Sequence, residues 1–222
     1  MIDINADLGE GGTEDEELLA LVTSCNIACG GHAGSEQIMR RSVELAQSAG
    51  VAIGAHPGYE DREHFGRQEL YLSSQQVVDL VARQVEKLAH INEGILHHVK
   101  PHGALYNQAD RDPTLAAAVI EGIRKISPQS IIYALPESSL VAAAEAAGMQ
   151  VMAEGFADRR YASDGSLWPR NRPGAVIAGI PDAVAQALAL AHSGTIQTLC
   201  IHSDGIHAVA MLRAIRKALE KL

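Results

Sequence analysis

The chain has 222 residues, 47% of them apolar and 20% charged, and carries a net charge of −9 at neutral pH. That composition fits a globular protein of one large or two small domains. It excludes the basic stripe that nucleic acid or an anionic membrane surface needs. Cys25, Cys29 and Cys200 are odd in number and lie in apolar runs. They read as buried reduced thiols rather than a disulfide framework or a ribbon-type zinc site. With no basic-then-apolar leader and no apolar run of membrane-spanning length, the expected location is the cytoplasm.

Alternation of apolar and polar residues predicts a first strand over 2–6, ending at Asp7 and the turn Gly9-Glu10-Gly11-Gly12. Thr13 is a candidate cap for a short helix whose first turn holds Glu14 to Glu17, favourable to the helix dipole. A second strand over 25–29 is closed by Gly30-Gly31-His32-Ala33-Gly34, and a helix follows over 35–49 with Gly50 behind it. The third strand, 51–55, ends in His56-Pro57-Gly58-Tyr59. Ser73 or Ser74 caps the longest helix, in which Val77, Leu80, Val81, Val85 and Leu88 keep a 3.6-residue period.

Strand four covers 97–100 and must stop at Pro101, which has no N–H for a ladder. Lys100 and His102 are thereby set together at a strand's carboxyl end. Asp112-Pro113 starts another helix, 131–135 is strand five, and an alanine-rich helix runs from Ser138 to Gly148. Strand six begins over 151–153 and leads into a long polar loop containing Trp168-Pro169 and Arg172-Pro173-Gly174. A loop of that length in a compact domain is more often functional than filler. Pro181 opens a helix ending near Ser193, 198–201 is strand seven, and a last helix covers 206–222.

Seven strand–helix repeats with short links predict a parallel sheet with helices outside, either doubly wound or closed as a (β/α) barrel, in one domain over 1–222. The polar residues are unevenly placed. Asn5, Asp7, Glu10, Asn26, His32, His56, Tyr59, His98, Lys100, His102, Glu154, Asp158, Arg159, His202 and Asp204 all fall within or just after strands. A parallel sheet brings such residues to one rim, where ligands bind. Carboxylates and imidazoles there suit acid–base work or a divalent metal, with Asp7, His32 and His56 as candidate ligands. Lys100 and Arg159 suit an anionic substrate or a developing negative charge. His64, His90, His97, His192 and His207 have no repeated partner and read as surface residues. Neither phosphate-loop nor dinucleotide fingerprint occurs, and no Gly-x-Ser-x-Gly elbow.

Five motifs in order carry a resemblance: Asn5-Ala6-Asp7-Leu8-Gly9-Glu10; Asn26-Ile27-Ala28-Cys29-Gly30 with His32-Ala33-Gly34; Gly54-Ala55-His56-Pro57; Val99-Lys100-Pro101-His102-Gly103-Ala104-Leu105-Tyr106-Asn107; and Phe156-Ala157-Asp158-Arg159 with Tyr161 and Asp164-Gly165. Together they resemble the LamB/YcsF family. The resemblance implies a distorted (β/α) barrel of about seven parallel strands, glycoside hydrolase/deacetylase-like. It also implies one component of an ATP-dependent 5-oxoprolinase, opening 5-oxo-L-proline to L-glutamate together with two other 5-oxoprolinase subunits. On that reading Asp7, Lys100, His102 and Asp204 are catalytic candidates. Glu10, His32, His56, Asp158, Arg159 and His202 are substrate-binding candidates. ATP enters as co-substrate through the partner subunits, and a divalent metal is a further candidate. Two rivals stand beside it: a stand-alone metal-dependent deacetylase or amidohydrolase, and a non-catalytic subunit that presents a lactam. The chain departs from the family pattern at Gly31, where Phe is usual, and at Ser203, where Gly is usual. The first is expected to enlarge the pocket and the second to perturb a tight backbone approach.

Overall fold

A computed structural model describes residues 2–205 and 207–222. The strands β1 (Asp3–Leu8), β2 (Ser24–Ala28), β3 (Ala52–His56), β4 (His98–Val99), β5 (Ile131–Ala134), β6 (Val151–Phe156) and β7 (Thr198–Ile201) pair in chain order. Every pairing is parallel, and β7 returns to β1, so the closed barrel is the correct one of the two architectures. Around it run α1 (Asp15–Leu19), α2 (Glu36–Ala49), α3 (Ser74–Ile91), α4 (Gly103–Arg111), α5 (Pro113–Ile126), α6 (Ser139–Ala146), α7 (Ile180–Ser193) and α8 (Ala208–Leu219). No described helix is long and apolar enough to cross a membrane.

Strand period 2 divides the side chains cleanly. Ile4, Ala6 and Leu8 of β1, Cys25 and Ile27 of β2, Ile53 and Ala55 of β3, and Leu199 and Ile201 of β7 join the main apolar cluster with the helix residues. The alternate positions turn inward, and there the barrel is polar. Asn5, Asp7, Ser24, Asn26, His98, Lys100, Glu154 and Thr198 are all buried. Branched apolar side chains usually fill a barrel of this kind; here a hydrogen-bonded network does, which buried polar groups require. Asn5 Nδ2 donates to Glu154 Oε1 (3.0 Å) and Thr198 Oγ1 (2.7 Å), while Asn26 Nδ2 donates to Asn5 Oδ1 (2.7 Å) and Asp7 Oδ1 (2.9 Å). His98 Nε2 donates to Asn26 Oδ1 (2.7 Å), and its ring stacks on Tyr133. Gly54 makes room for that ring: a Cβ there would lie 2.2 Å from His98 Nε2.

Local signals were realised unevenly. Ser35 caps α2 and Gly50 ends it at φ +67°, Ser73 and Gln76 form a capping box on α3, and Asp112 caps α5 ahead of Pro113. Thr13 does not cap α1: the cap position is Glu14, with no side-chain bond, and Asp15 instead accepts from Gly9 N (3.0 Å) to hold the turn after β1. Strand four shrinks to two paired residues, because Lys100 keeps one bond to Ala55 and Pro101 can make none. An extra helix, α4, opens right behind it at Gly103. Residue 206, the expected start of the last helix, lies outside the described residues; α8 begins at Ala208. The five histidines read as surface residues are all exposed.

Candidate active site

The carboxyl ends of the strands open into a cavity of about 700 Å³, lined by Asp7, His56, Lys100, His102, Arg159 and His202 among others. Six of the ten residues predicted for the site therefore face one space. Glu10 and His32 stand behind His56 and His102: Glu10 Oε1 is 2.9 Å from His32 Nε2 and 3.3 Å from His102 Nδ1. Asp158 reaches the cavity through His202. Its carboxylate lies 3.0 Å from His202 Nδ1 and also accepts from His202 N (3.1 Å). That fixes the His202 hydrogen on Nδ1 and leaves Nε2 free to accept a proton. Asp204, expected as an activating carboxylate, sits at the mouth instead, bonded by Arg170 (2.6 Å) and Arg67.

Lys100 is the electrostatic centre. Its Nζ lies 3.0 Å from Glu154 Oε1, 3.2 Å from Asp7 Oδ1, 3.3 Å from Asn5 Oδ1 and 2.9 Å from Cys200 Sγ. Burial alone would strip the ammonium of its proton, but Asp7, with Glu154 beside it, pulls its pKa well above the ordinary lysine range. Burial likewise pushes Asp7 up, and Lys100 followed by His56 reverses the sign, so its carboxyl is held well below the carboxylate range. Burial raises Glu154 against the pull of Lys100, and raises Cys200 far enough to keep it a thiol. Burial, with Asp7 and Asp204 behind it, carries Glu10 well upward. Burial also lowers His32 to about 2 and His56 to about 4, and puts His102 well below the imidazole range. Burial opposes ionisation of Asp158, yet His202 brings it below its ordinary value.

Arg159 is the residue best prepared for an anion. It is 4% exposed, one guanidinium nitrogen donates to Trp168 O (2.7 Å), and its Nε is buried without a hydrogen-bond partner among the described residues. An orphaned buried donor of that kind is costly unless something else accepts from it. Trp168 belongs to the long loop after β6, which folds back on itself through the bridges Arg159↔Val176 and Tyr161↔Leu167. Arg67, Arg111 and Arg170 add positive charge at the cavity wall. The sequence reading missed these three; nothing about an isolated arginine in a loop marks which surface it will face. It also took Cys200 for a plain core thiol, although the strand period places it inward beside Lys100.

The departure at Gly31 does not widen the cavity. A Cβ there would lie 2.6 Å from the Gln84 amide and 2.7 Å from Gly58 O. Gln84 fills that space, accepting from Gly58 N (3.0 Å) and donating to Gly58 O (2.7 Å). Ser203 does not line the cavity.

A closed parallel barrel with acid, base and cation gathered at its carboxyl rim has the fold of (β/α) barrel hydrolases. Among similar structures are a family 4 carbohydrate esterase from Streptomyces lividans (13% identity, TM-score 0.54, covering 99% of this chain and 88% of that one) and a GH113 β-1,4-mannanase (11%, 0.57, 99% and 98%). At those identities the likeness is one of fold alone. The lactam utilization protein of Thermus thermophilus is 38% identical over 99% of this chain and 96% of its own, with a TM-score of 0.91. The LamB/YcsF family profile matches residues 2–222, and the chain belongs to that family.

Proposed function

We propose that the chain is the hydrolytic subunit of an ATP-dependent 5-oxoprolinase, opening 5-oxo-L-proline to L-glutamate with two partner subunits. The observation that carries this reading is the cavity lined by Lys100, Arg159 and His202, the last held by Asp158 behind it. Its support from outside the chain is the likeness to a lactam utilization protein.

A five-membered lactam is unstrained, and amide resonance protects its carbonyl from water. In our scheme a partner subunit transfers the γ-phosphoryl of ATP to the amide oxygen. Water then adds to the carbonyl carbon, and the C–N bond breaks with a proton going to nitrogen. The resulting γ-glutamyl phosphate takes a second water to give glutamate and phosphate. Arg159, at the cavity wall, holds the substrate carboxylate through its guanidinium. His202 Nε2 takes the proton of the attacking water and returns it to the leaving nitrogen, while Asp158 fixes the ring's tautomer. Lys100, kept charged by Asp7 and Glu154, neutralises the developing oxyanion in a buried setting where such a contact counts most. Asp204 acts through Arg67 and Arg170, steadying the cationic mouth.

The test is an ATP-dependent glutamate assay on 5-oxoproline with the chain alone and with both partner subunits. Activity is expected in the complete set only. No glutamate from the complete set would overturn the activity, and full turnover by the chain alone would overturn the division of labour. A second reading, a metal-dependent amide hydrolase that needs no partner, is favoured by the Glu10, His32, His56 and His102 cluster. A bound metal would supply Lewis-acid polarisation there, and chelator-sensitive turnover without ATP is its signature.

A further inference from the structure

The cluster that the scheme above leaves unused is Glu10, His32, His56 and His102, whose donor atoms all lie within 4.8 Å of one another. Proton bookkeeping makes it unusual. His56 Nδ1 lies 2.7 Å from Lys100 O, and His102 Nε2 lies 2.9 Å from Phe65 O. Carbonyl oxygens only accept, so the ring hydrogens sit on those two nitrogens. The opposite nitrogens, His56 Nε2 and His102 Nδ1, therefore face each other at 3.0 Å as two lone pairs with no hydrogen between them. Glu10 Oε1 points at the same place, 3.3 Å from His102 Nδ1 and 3.7 Å from His56 Nε2, and it accepts from His32 Nε2 (2.9 Å), whose ring stacks on that of His102.

A shared proton bridges two atoms, whereas three acceptors converge here: Glu10 Oε1, His56 Nε2 and His102 Nδ1. Metal–ligand bonds of about 2.0–2.1 Å in a tetrahedron imply ligand-to-ligand edges of about 3.3 Å, and the three separations among these atoms are 3.0, 3.3 and 3.7 Å. Backbone carbonyls on the far ring nitrogens are the usual means of aiming metal-binding imidazoles. Phe65 supplies one of them from a left-handed backbone (φ +56°), a conformation held for a reason in a bulky residue. Asp7, an expected ligand, has its Oδ1 3.5 Å from His56 Nε2, but that oxygen already accepts from Lys100 and Asn26.

We infer that Glu10 Oε1, His56 Nε2 and His102 Nδ1 bind one divalent transition-metal ion of the zinc–cobalt class, with His32 holding Glu10 in place from behind and one coordination position left for solvent or substrate. Two imidazoles and one carboxylate select such ions over magnesium or calcium, which prefer all-oxygen sets. The inference holds under either reading of the function, because its test does not measure turnover. Full-length protein is stripped with chelator and titrated with Co2+ and Zn2+, reading the visible band of four-coordinate cobalt and the bound metal by mass spectrometry. About one equivalent per chain is expected, with a metal-dependent rise in Tm. H102A and E10Q should each lower bound metal at least tenfold, while D7N retains it. E10Q guards against a folding defect in H102A, since it keeps the side chain's volume, and circular dichroism checks both. Folded wild-type protein that takes up neither ion at micromolar concentration overturns the inference, as does undiminished binding by folded E10Q and H102A.

Discussion

Replacing Lys100 by Met keeps the aliphatic length of the side chain and removes its charge from between Asp7 and Glu154. Both carboxylates are at most 2% exposed on their side chains, and no other ammonium or guanidinium among the described residues lies within 4.0 Å of either. Breaking a buried pair in this way costs about 3–5 kcal/mol, because the remaining charge is left uncompensated. In a chain of this size that corresponds to a Tm lower by about 6–20 °C. The pH dependence carries a sign. In the wild type the depressed Asp7 pKa contributes stability above its unfolded value, which is lost as pH falls through the folded value. In K100M the lowering influence is gone, burial dominates, and the carboxylates favour protonation. The deficit of K100M against wild type should therefore shrink as pH falls from about 8 to about 5. Urea denaturation at several pH values measures it. A deficit below about 1 kcal/mol, or one that grows toward pH 5, refutes the assignment of Lys100 as the counter-charge of the barrel interior. Activity at pH 7 is expected to drop about 10²–10³-fold, the range seen when one stabilising donor is removed from an active site.

Other substitutions probe the remaining parts. D158N leaves the volume unchanged but frees His202 to adopt the wrong tautomer; turnover should fall by about 10³–10⁴-fold with the fold intact by circular dichroism. R159K retains charge and loses the fixed fork, so KM for a carboxylate substrate should rise about 10-fold or more while kcat changes less, checked by steady-state kinetics. G54A puts a methyl where the His98 ring lies, 2.2 Å from Nε2, and should cost about 1–3 kcal/mol or prevent folding, read by thermal melting. G31A meets the backbone carbonyl of Gly58 and the Gln84 amide, and a stability loss of similar size is expected in the same assay.

Much of this molecule was legible from residue order. Seven strand–helix units, the caps Ser35, Ser73 and Asp112, and the stop at Pro101 are local effects whose physics lies within a few residues. The convergence of Asp7, His56, Lys100 and His202 on one cavity was also foreseeable, since parallel strands carry their carboxyl ends to a common rim. Barrel closure was implied by the resemblance of the five motifs but not by periodicity, which describes a strand's two faces and says nothing about whether β7 meets β1. The roles within the rim were decided by tertiary contacts: Asp204 was drawn off by Arg67 and Arg170, residues 137 and 34 positions away in the chain. Asp7 was drawn to Lys100, leaving Glu10 and His102 to complete the imidazole cluster. Which charge pairs with which depends on ångström-scale distances between remote segments, and residue order alone carries no such distances.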